Sequence, residues 1–489
     1  MSAAPVDAYE TTVGLEIHVE LSTASKMFCG CAVAFGGDPN TRTCPVCLGL
    51  PGSLPVPNEV AVEHTLRIAT ALNCSIASRS VFHRKNYFYP DMPKNYQISQ
   101  YDLPLGYGGY VDVSGDFGTV RVGITRVHLE EDTGKSLHVG GGGRIADSDY
   151  SLEDFNRAGT PLVEIVSEPD IGSAEQARAF VTELRAILES LGVSDVRMEE
   201  GSLRVDANVS VRRAGETEHG AKVEVKNMNS IRSVARALAY EEERQRDALD
   251  AGETLVQETR HFDERTGTTS SMRTKEFAFD YRYFPEPDLV PIEPSDEWIE
   301  RVRSSLPELP AARRARLAAD YGLGASDVEV LTATKATADW FEAAARAYDG
   351  EPKKVVNWII ADLFGLCNDA GVELARCRIA PAQLAGLVAL VDSGTISGKQ
   401  AKLVLAEMFA TGDDADAVAQ RRGLRQVSDE GALETAVDEV VAEQPDAADK
   451  VRAGNLNTIG FLVGQVMRKT RGQANPALVN ELLRRKLAP

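Results

Sequence analysis

Positive charge is scarce in this sequence: 53 Lys and Arg stand against 73 Asp and Glu, a formal net charge of −20. A chain so acidic is not expected to grip nucleic acid over its whole surface. Long apolar runs are missing too, since no stretch reaches the roughly 18 residues a membrane helix requires. Met1–Glu10 lacks the basic start and apolar stretch of a secretory signal, so a cytoplasmic location is expected. Cysteine is sparse, seven in 489 residues, which points to thiols or a metal site rather than a disulfide framework. Familiar nucleotide and nucleophile signatures are absent as well. There is no Gly-x4-Gly-Lys-Ser/Thr loop, no Gly-x-Gly-x-x-Gly after a strand and no Gly-x-Ser-x-Gly. The glycine run 140–143 is followed by Arg144 and Ile145 and reads as a hairpin tip.

What is present divides the chain. At 489 residues two or three domains are expected. Thr12–Leu21 alternates, with Val13, Leu15, Ile17, Val19 and Leu21 on one face and Glu16, His18 and Glu20 on the other. Leu203–Arg212 repeats the pattern and presents Arg204, Asp206, Asn208, Ser210 and Arg212, and Lys222–Lys226 continues it with Glu224 and Lys226. Half-buried strands of this kind predict an antiparallel sheet with one wet face. A helix is predicted after Ser173, with Gln176 completing a capping box, Phe180, Leu184, Ile187, Leu188 and Leu191 as its apolar stripe, and Gly192 as its stop. Beyond Pro294 the spacing turns helical, and the proline-rich 284–294 stretch reads as a linker. The expected class is α+β: an antiparallel-sheet domain over 1–293, an all-α region over 294–411 and a small helical tail domain over 412–489 that begins near Gly412-Asp413-Asp414.

Two sets of residues carry chemistry. Cys29-x-Cys31 and Cys44-Pro-Val-Cys47 supply two close thiol pairs, the four soft ligands a structural zinc ion takes in a closed tetrahedral site. Four buried free thiols are the competing reading. The second set is acidic: Glu16 and His18 on one strand face, Glu130 and Glu131 within His128-Leu-Glu-Glu-Asp132, and Glu164 within Pro161-Leu-Val-Glu-Ile-Val. Hard oxygens with an imidazole suit Mg²⁺ on a polyphosphate. Lys85, Arg204 and Lys226 are the cations expected to face that phosphate. Taken alone, each of these residues reads more readily as an ordinary solvated or salt-bridged surface group. From Lys450 onward the charge balance reverses: Lys450, Arg452, Arg468, Lys469, Arg471, Arg484, Arg485 and Lys486 face a single acid, Glu481. Such a basic tail is either an RNA contact or a solvated helix face.

Several long segments together resemble one family. Val13-Gly-Leu-Glu-Ile-His-Val-Glu20, Arg84-Lys-Asn-Tyr-Phe-Tyr-Pro-Asp91, His128-Leu-Glu-Glu-Asp-Thr-Gly-Lys135, Asp154-Phe-Asn-Arg-Ala-Gly-Thr-Pro-Leu-Val-Glu-Ile-Val-Ser167 and Asp280-Tyr-Arg-Tyr-Phe-Pro-Glu-Pro-Asp288 are similar to the hallmark stretches of the B subunits of aspartyl/glutamyl-tRNA amidotransferases. The likeness continues through Gly460–Gln465 and Gly472–Pro476. The resemblance implies a cradle domain, a helical domain and a tail that holds tRNA. It also implies ATP-dependent phosphorylation of the Glu or Asp carried on mischarged tRNA(Gln) or tRNA(Asn). Ammonia from a glutaminase (amidase) partner then displaces the phosphate, and a small third subunit braces the complex. Glu16, His18, Glu131 and Glu164 match the implied magnesium positions, with Glu130 beside them. Catalytic roles are expected for Glu131, His18, Lys85 and Asp206, and nucleotide contacts for Arg204, Asn208, Glu224 and Lys226, from the strand faces they share. The 140–151 loop is longer than the usual form. The rival expectation is a zinc-stapled tRNA-binding scaffold whose acids only form salt bridges.

Overall fold

A computed structural model describes residues 8–140, 148–218, 220–272, 281–424, 430–470 and 474–487. Two compact units emerge, one up to Pro310 and one from Ala311. Strands β1 (Tyr9–Glu20), β2 (Ser75–Ile76), β3 (Phe82–Asn86), β4 (Tyr96–Gln100), β5 (Gly106–Gly115), β6 (Gly118–Glu131) and β7 (Lys135–Val139) come first. They are followed by β8 (Tyr150–Asp154), β9 (Pro161–Ser167), β10 (Leu203–Arg213), β11 (Val223–Met228), β12 (Glu258–Asp263), β13 (Thr268–Ser271) and β14 (Phe284–Pro285). The main sheet runs β13-β12-β11-β10-β1-β9-β6-β5-β2, a three-stranded sheet runs β14-β3-β4, and β7 pairs with β8. The main sheet is antiparallel except where β11 and β12 run parallel.

The alternation predicted for β1 is observed: Val13, Leu15, Ile17 and Val19 are at most 1% exposed and pack into the core. Leu203, Val205, Ala207, Val209 and Val211 of β10 are buried likewise, which turns the charged residues of both strands to the other side. Over the apolar side lie helices α1 (Glu59–Ala71), α2 (Ala174–Leu191) and α3 (Ile231–Asp250). Helix α2 starts where Ser173 Oγ accepts the Gln176 amide at 3.2 Å. The expected reciprocal bond lands one residue earlier than a capping box places it: Gln176 Oε1 accepts the amide of Gly172, at 2.7 Å. Gly192, at φ +68°, ends the helix in the left-handed conformation that glycine tolerates best.

The stretch expected as a linker is instead pinned to the first unit. Phe284 and Pro285 pair with Arg84 and His83 of β3, Ile292 pairs with Ser80, and Glu286 is buried beneath a two-pronged bond from Arg84. Proline tolerates this edge position because its missing N–H removes no bond that an outermost strand requires. The second unit is helical among its described residues, with one core from Leu317 to Ala419 and another from Leu433 to Leu487. Pro352–Trp358 runs through a π-helical turn, Ile359–Leu363, into Phe364–Ala370. Among the described residues no helix is long and apolar enough to cross a membrane.

Candidate functional site

Strand register builds the site. Pairing of β6, β9, β1 and β10 sets His128, Glu164, His18 and Arg204 side by side in one row across the sheet. The adjacent row carries Arg126, Val166, Glu16 and Asp206, and the row on the other side carries Glu130, Leu162 and Glu20. Directly opposed residues share a face, so acids and imidazoles far apart in sequence converge.

His18 Nε2 lies 3.4 Å from Glu164 Oε2, 3.8 Å from Glu130 Oε1 and 3.9 Å from Glu16 Oε1. His128 Nε2 lies 3.6 Å from Glu164 Oε2 and 3.7 Å from Glu130 Oε2. Ser99 of β4 donates to Glu130 Oε2 at 3.0 Å, and Arg126 donates to Glu164 Oε1 at 3.1 Å. Donor atoms of Glu16, His18 and Glu164 all fall within 4.8 Å of one another, as do those of His128, Glu130 and Glu164. Octahedral Mg²⁺ with ligands at about 2.1 Å spaces neighbouring donors about 3 Å apart and opposite ones about 4 Å apart, so these groups fit it. The two histidines differ. Arg126 Nε donates to His128 Nδ1 at 3.4 Å, which leaves the His128 proton on Nε2, aimed at the carboxylates. His18 with Glu16 and Glu164 is therefore the set suited to hold a cation, while His128 orients the carboxylates.

The electrostatics agree. Burial pushes Glu164 upward, yet His128, His18 and Arg126 hold it well below the usual carboxylate range. Glu130 is also lowered: burial and the charge of Glu164 oppose ionisation, and the His128 hydrogen bond leads the interactions that outweigh them. His18 is raised, because Glu164 and Glu130 more than offset its burial. Glu16 is raised by burial and by the charge of Glu164. Lys85, on β3, stays charged: burial would lower it, but the field of Glu130 leads the groups that raise it. Its ammonium sits 4.9 Å from the Tyr281 ring centre.

Glu131 stands elsewhere. Successive strand residues point oppositely, so Glu130 reaches the cluster while Glu131 accepts from Lys94 and from the Ile98 amide. Both partners are buried, and the Glu131 carboxylate is not among the cation donors. The charged residues among the remaining expected ones lie on the wet face already paired. Arg204 bonds Asp132 at 2.9 Å, and Lys226 bonds Asp206 at 2.7 Å and Glu224 at 3.1 Å. Asn208, opposite Glu224 and Gly14, keeps a buried Oδ1 without a hydrogen-bond partner. Residues not singled out as site residues from the sequence also take part. Glu20 is pushed up to about 8 by burial and by neighbouring Asp132. Asp132, against its own burial, is drawn down to about 2 by Arg204 and Arg157. Continuing the β1 alternation from Glu16 and His18 to Glu20 was the available signal, whereas nothing local marked His128 or Arg126.

Cys29, Cys31, Cys44 and Cys47 bring their sulfurs within 4.8 Å of one another. Tetrahedral zinc with Zn–S of about 2.3 Å spaces its sulfurs about 3.8 Å apart, so this set also fits its metal. Cys47 is drawn down to about 4, chiefly by a hydrogen bond from Cys29, with the Cys44 amide and Lys26 adding to it.

In the tail, half of the expected basic patch is neutralised within the unit. Arg452 bonds Asp449, Lys469 bonds Glu439 and Glu443, Arg485 bonds Glu434, and Lys486 bonds Asp438. Lys450 and Arg468 are exposed with no ion-pair partner among the described residues, and Arg471 lies outside the described residues.

The fold and site thus define an α+β protein with a carboxylate–imidazole cluster on its main sheet that could hold a cation, and a cluster of four thiols in the same unit. The family model described as the GatB/GatE catalytic domain matches residues 11–300, and the GatB domain model matches 339–487. Curated relatives, named as B subunits of aspartyl/glutamyl-tRNA(Asn/Gln) amidotransferases, are similar end to end. That of Carboxydothermus hydrogenoformans is 53% identical over 480 residues, 98% of this chain and 99% of the relative. That of Moorella thermoacetica is 55% identical over 479 residues, 98% and 100% of the two chains. That of Anaeromyxobacter dehalogenans is 52% identical over 486 residues, 99% of each. The chain belongs to the GatB/GatE family.

Proposed function

We propose that this chain is the tRNA-handling, ATP-using subunit of an aspartyl/glutamyl-tRNA amidotransferase, with a glutaminase and a small third subunit as partners. The observation that carries this reading is the His128–Glu164–His18–Arg204 row, where hard cation donors stand beside ordered positive charge. An ionised carboxylate resists ammonia, and transfer of the ATP γ-phosphoryl to one of its oxygens makes that oxygen a leaving group. Ammonia then adds to the carbonyl carbon and phosphate departs, leaving the amide.

Glu16, His18 and Glu164 would hold Mg²⁺, which when bound offsets the charge on the polyphosphate. Lys85 enters from the second sheet with its charge intact and binds phosphoryl oxygens. His128, its proton on Nε2, keeps Glu130 and Glu164 turned toward the cation. Arg204 and Lys226 lie in reach of the same face and exchange a carboxylate partner for phosphate.

Rate of ATP cleavage in the reconstituted complex, dependent on Glu-tRNA(Gln) or Asp-tRNA(Asn), tests the proposal. Glu164→Gln is expected to abolish cleavage while the partner's glutaminase persists. Unchanged turnover would favour the scaffold reading, in which the acids only form salt bridges.

A further inference from the structure

The four-thiol centre is stitched to the turn that precedes β9. Lys26 is 1% exposed, and its ammonium donates to Cys47 Sγ at 3.6 Å and to the Phe155 carbonyl at 3.1 Å. The arm between the two cysteine pairs bonds the same turn. The Asn40 amide donates to Asp154 Oδ1 at 3.0 Å, Asn40 Nδ2 donates to the Glu153 carbonyl at 3.0 Å, and the Phe155 amide donates to Asn40 Oδ1 at 2.8 Å. Asn156 accepts the Arg42 amide and donates to the Asp38 carbonyl, both at 2.8 Å. The Met27 amide donates to the Gly159 carbonyl at 2.7 Å. Gly159 has φ +88°, and a Cβ there would lie 3.4 Å from Lys26 Cδ and 3.6 Å from Cys47 Cβ.

The turn is bonded in its other direction to the acidic site. The Asp132 amide donates to the Thr160 carbonyl at 2.8 Å, the Gly159 amide donates to the Asp132 carbonyl at 2.9 Å, and Arg157 approaches the Asp132 carboxylate at 3.7 Å. β9, which carries Glu164, begins at the next residue, Pro161.

We propose that Lys26 and the 38–42 arm are positioning elements that make the four-thiol centre the clamp for the 153–160 turn and, through it, for Asp132 and Glu164. Four thiolates on a divalent metal carry excess negative charge, and a buried ammonium against one sulfur offsets part of it. Lys26 thereby binds the metal centre and the Phe155 carbonyl at once. Loss of the metal releases both the arm and this lysine from the turn. The link to Glu164 rests on the cation site proposed above, whereas the clamp itself does not.

The test uses the full-length chain in its assembled complex, with two readouts: amide hydrogen exchange over 153–160 and Mn²⁺ affinity. Lys26→Met is expected to speed chelator-driven zinc loss by about tenfold or more and to raise exchange at 155–160, the size of effect typical of outer-shell changes at metal centres. Lys26→Arg should restore part of both. Asn40→Ala leaves every thiol in place, so it remains informative where zinc removal unfolds the knuckle. It should raise exchange at 153–156 and weaken Mn²⁺ binding while zinc is retained. Unchanged exchange over 153–160 in Lys26→Met and Asn40→Ala would overturn the clamp. A wild-type chain that binds no Mn²⁺ would instead count against the cation site, with exchange still deciding on the clamp.

Discussion

Glu131 and Lys94 form a buried ion pair whose side chains are 3% and 6% exposed. Removing one partner strands the other charge away from water, so Glu131→Ala should cost about 3–5 kcal/mol of stability. Urea titration checks the cost. The same variant should leave Mn²⁺ affinity unchanged, since Glu131 points away from the cation donors. A second residue-scale prediction concerns pH. In the free protein Glu164 and Glu130 more than offset burial and raise His18 above the ordinary imidazole value, so wherever His18 is protonated a cation must displace that proton. Affinity should therefore rise with pH by up to about tenfold per unit while His18 titrates, and fall as pH drops below that range. Calorimetry in buffers of different ionisation enthalpy should show proton release on binding. Choosing between Glu130 and Glu131 lay beyond the sequence, because adjacent acids at a strand end look alike until the neighbouring strand fixes which face is wet.

At the scale of elements, α2 shows what local chemistry decides. Ser173→Ala removes the acceptor for the Gln176 amide and should lower stability by about 1 kcal/mol, read as a shift in denaturation midpoint at constant slope. β1, β10, α2 and the faces they bury were legible because alternation and capping are written within a dozen residues. Their neighbours were not. β9 and β10 flank β1 although each lies more than a hundred residues away along the chain, and no local period encodes that pairing. The prolines of 284–294 misled for a related reason: composition alone does not separate an edge strand anchored by Glu286 and Arg84 from a linker.

At the scale of the whole molecule, acidity and a basic tail coexist because the tail supplies its own acids. Helix Glu430–Glu443 carries Glu434, Asp438, Glu439 and Glu443, which neutralise Lys469, Arg485 and Lys486. Counting charge from Lys450 onward omitted that helix, so the tail looked more basic than its surface is. Lys450→Glu and Arg468→Glu should therefore weaken tRNA binding, each flattening the logarithmic salt dependence by about one where it meets a phosphate. Arg485→Glu should chiefly disturb its pairing with Glu434. Filter binding across a salt series separates the two outcomes.

The most direct test of the central claim follows oxygen. In the reconstituted complex, Glu-tRNA(Gln) or Asp-tRNA(Asn) labelled with ¹⁸O in its side-chain carboxylate is amidated in ordinary water. Activation by phosphoryl transfer at the Glu16–His18–Glu164 site predicts one ¹⁸O in each phosphate released, and none formed by the Glu164→Gln variant. Phosphate free of label, or labelled phosphate produced undiminished by that variant, would contradict it.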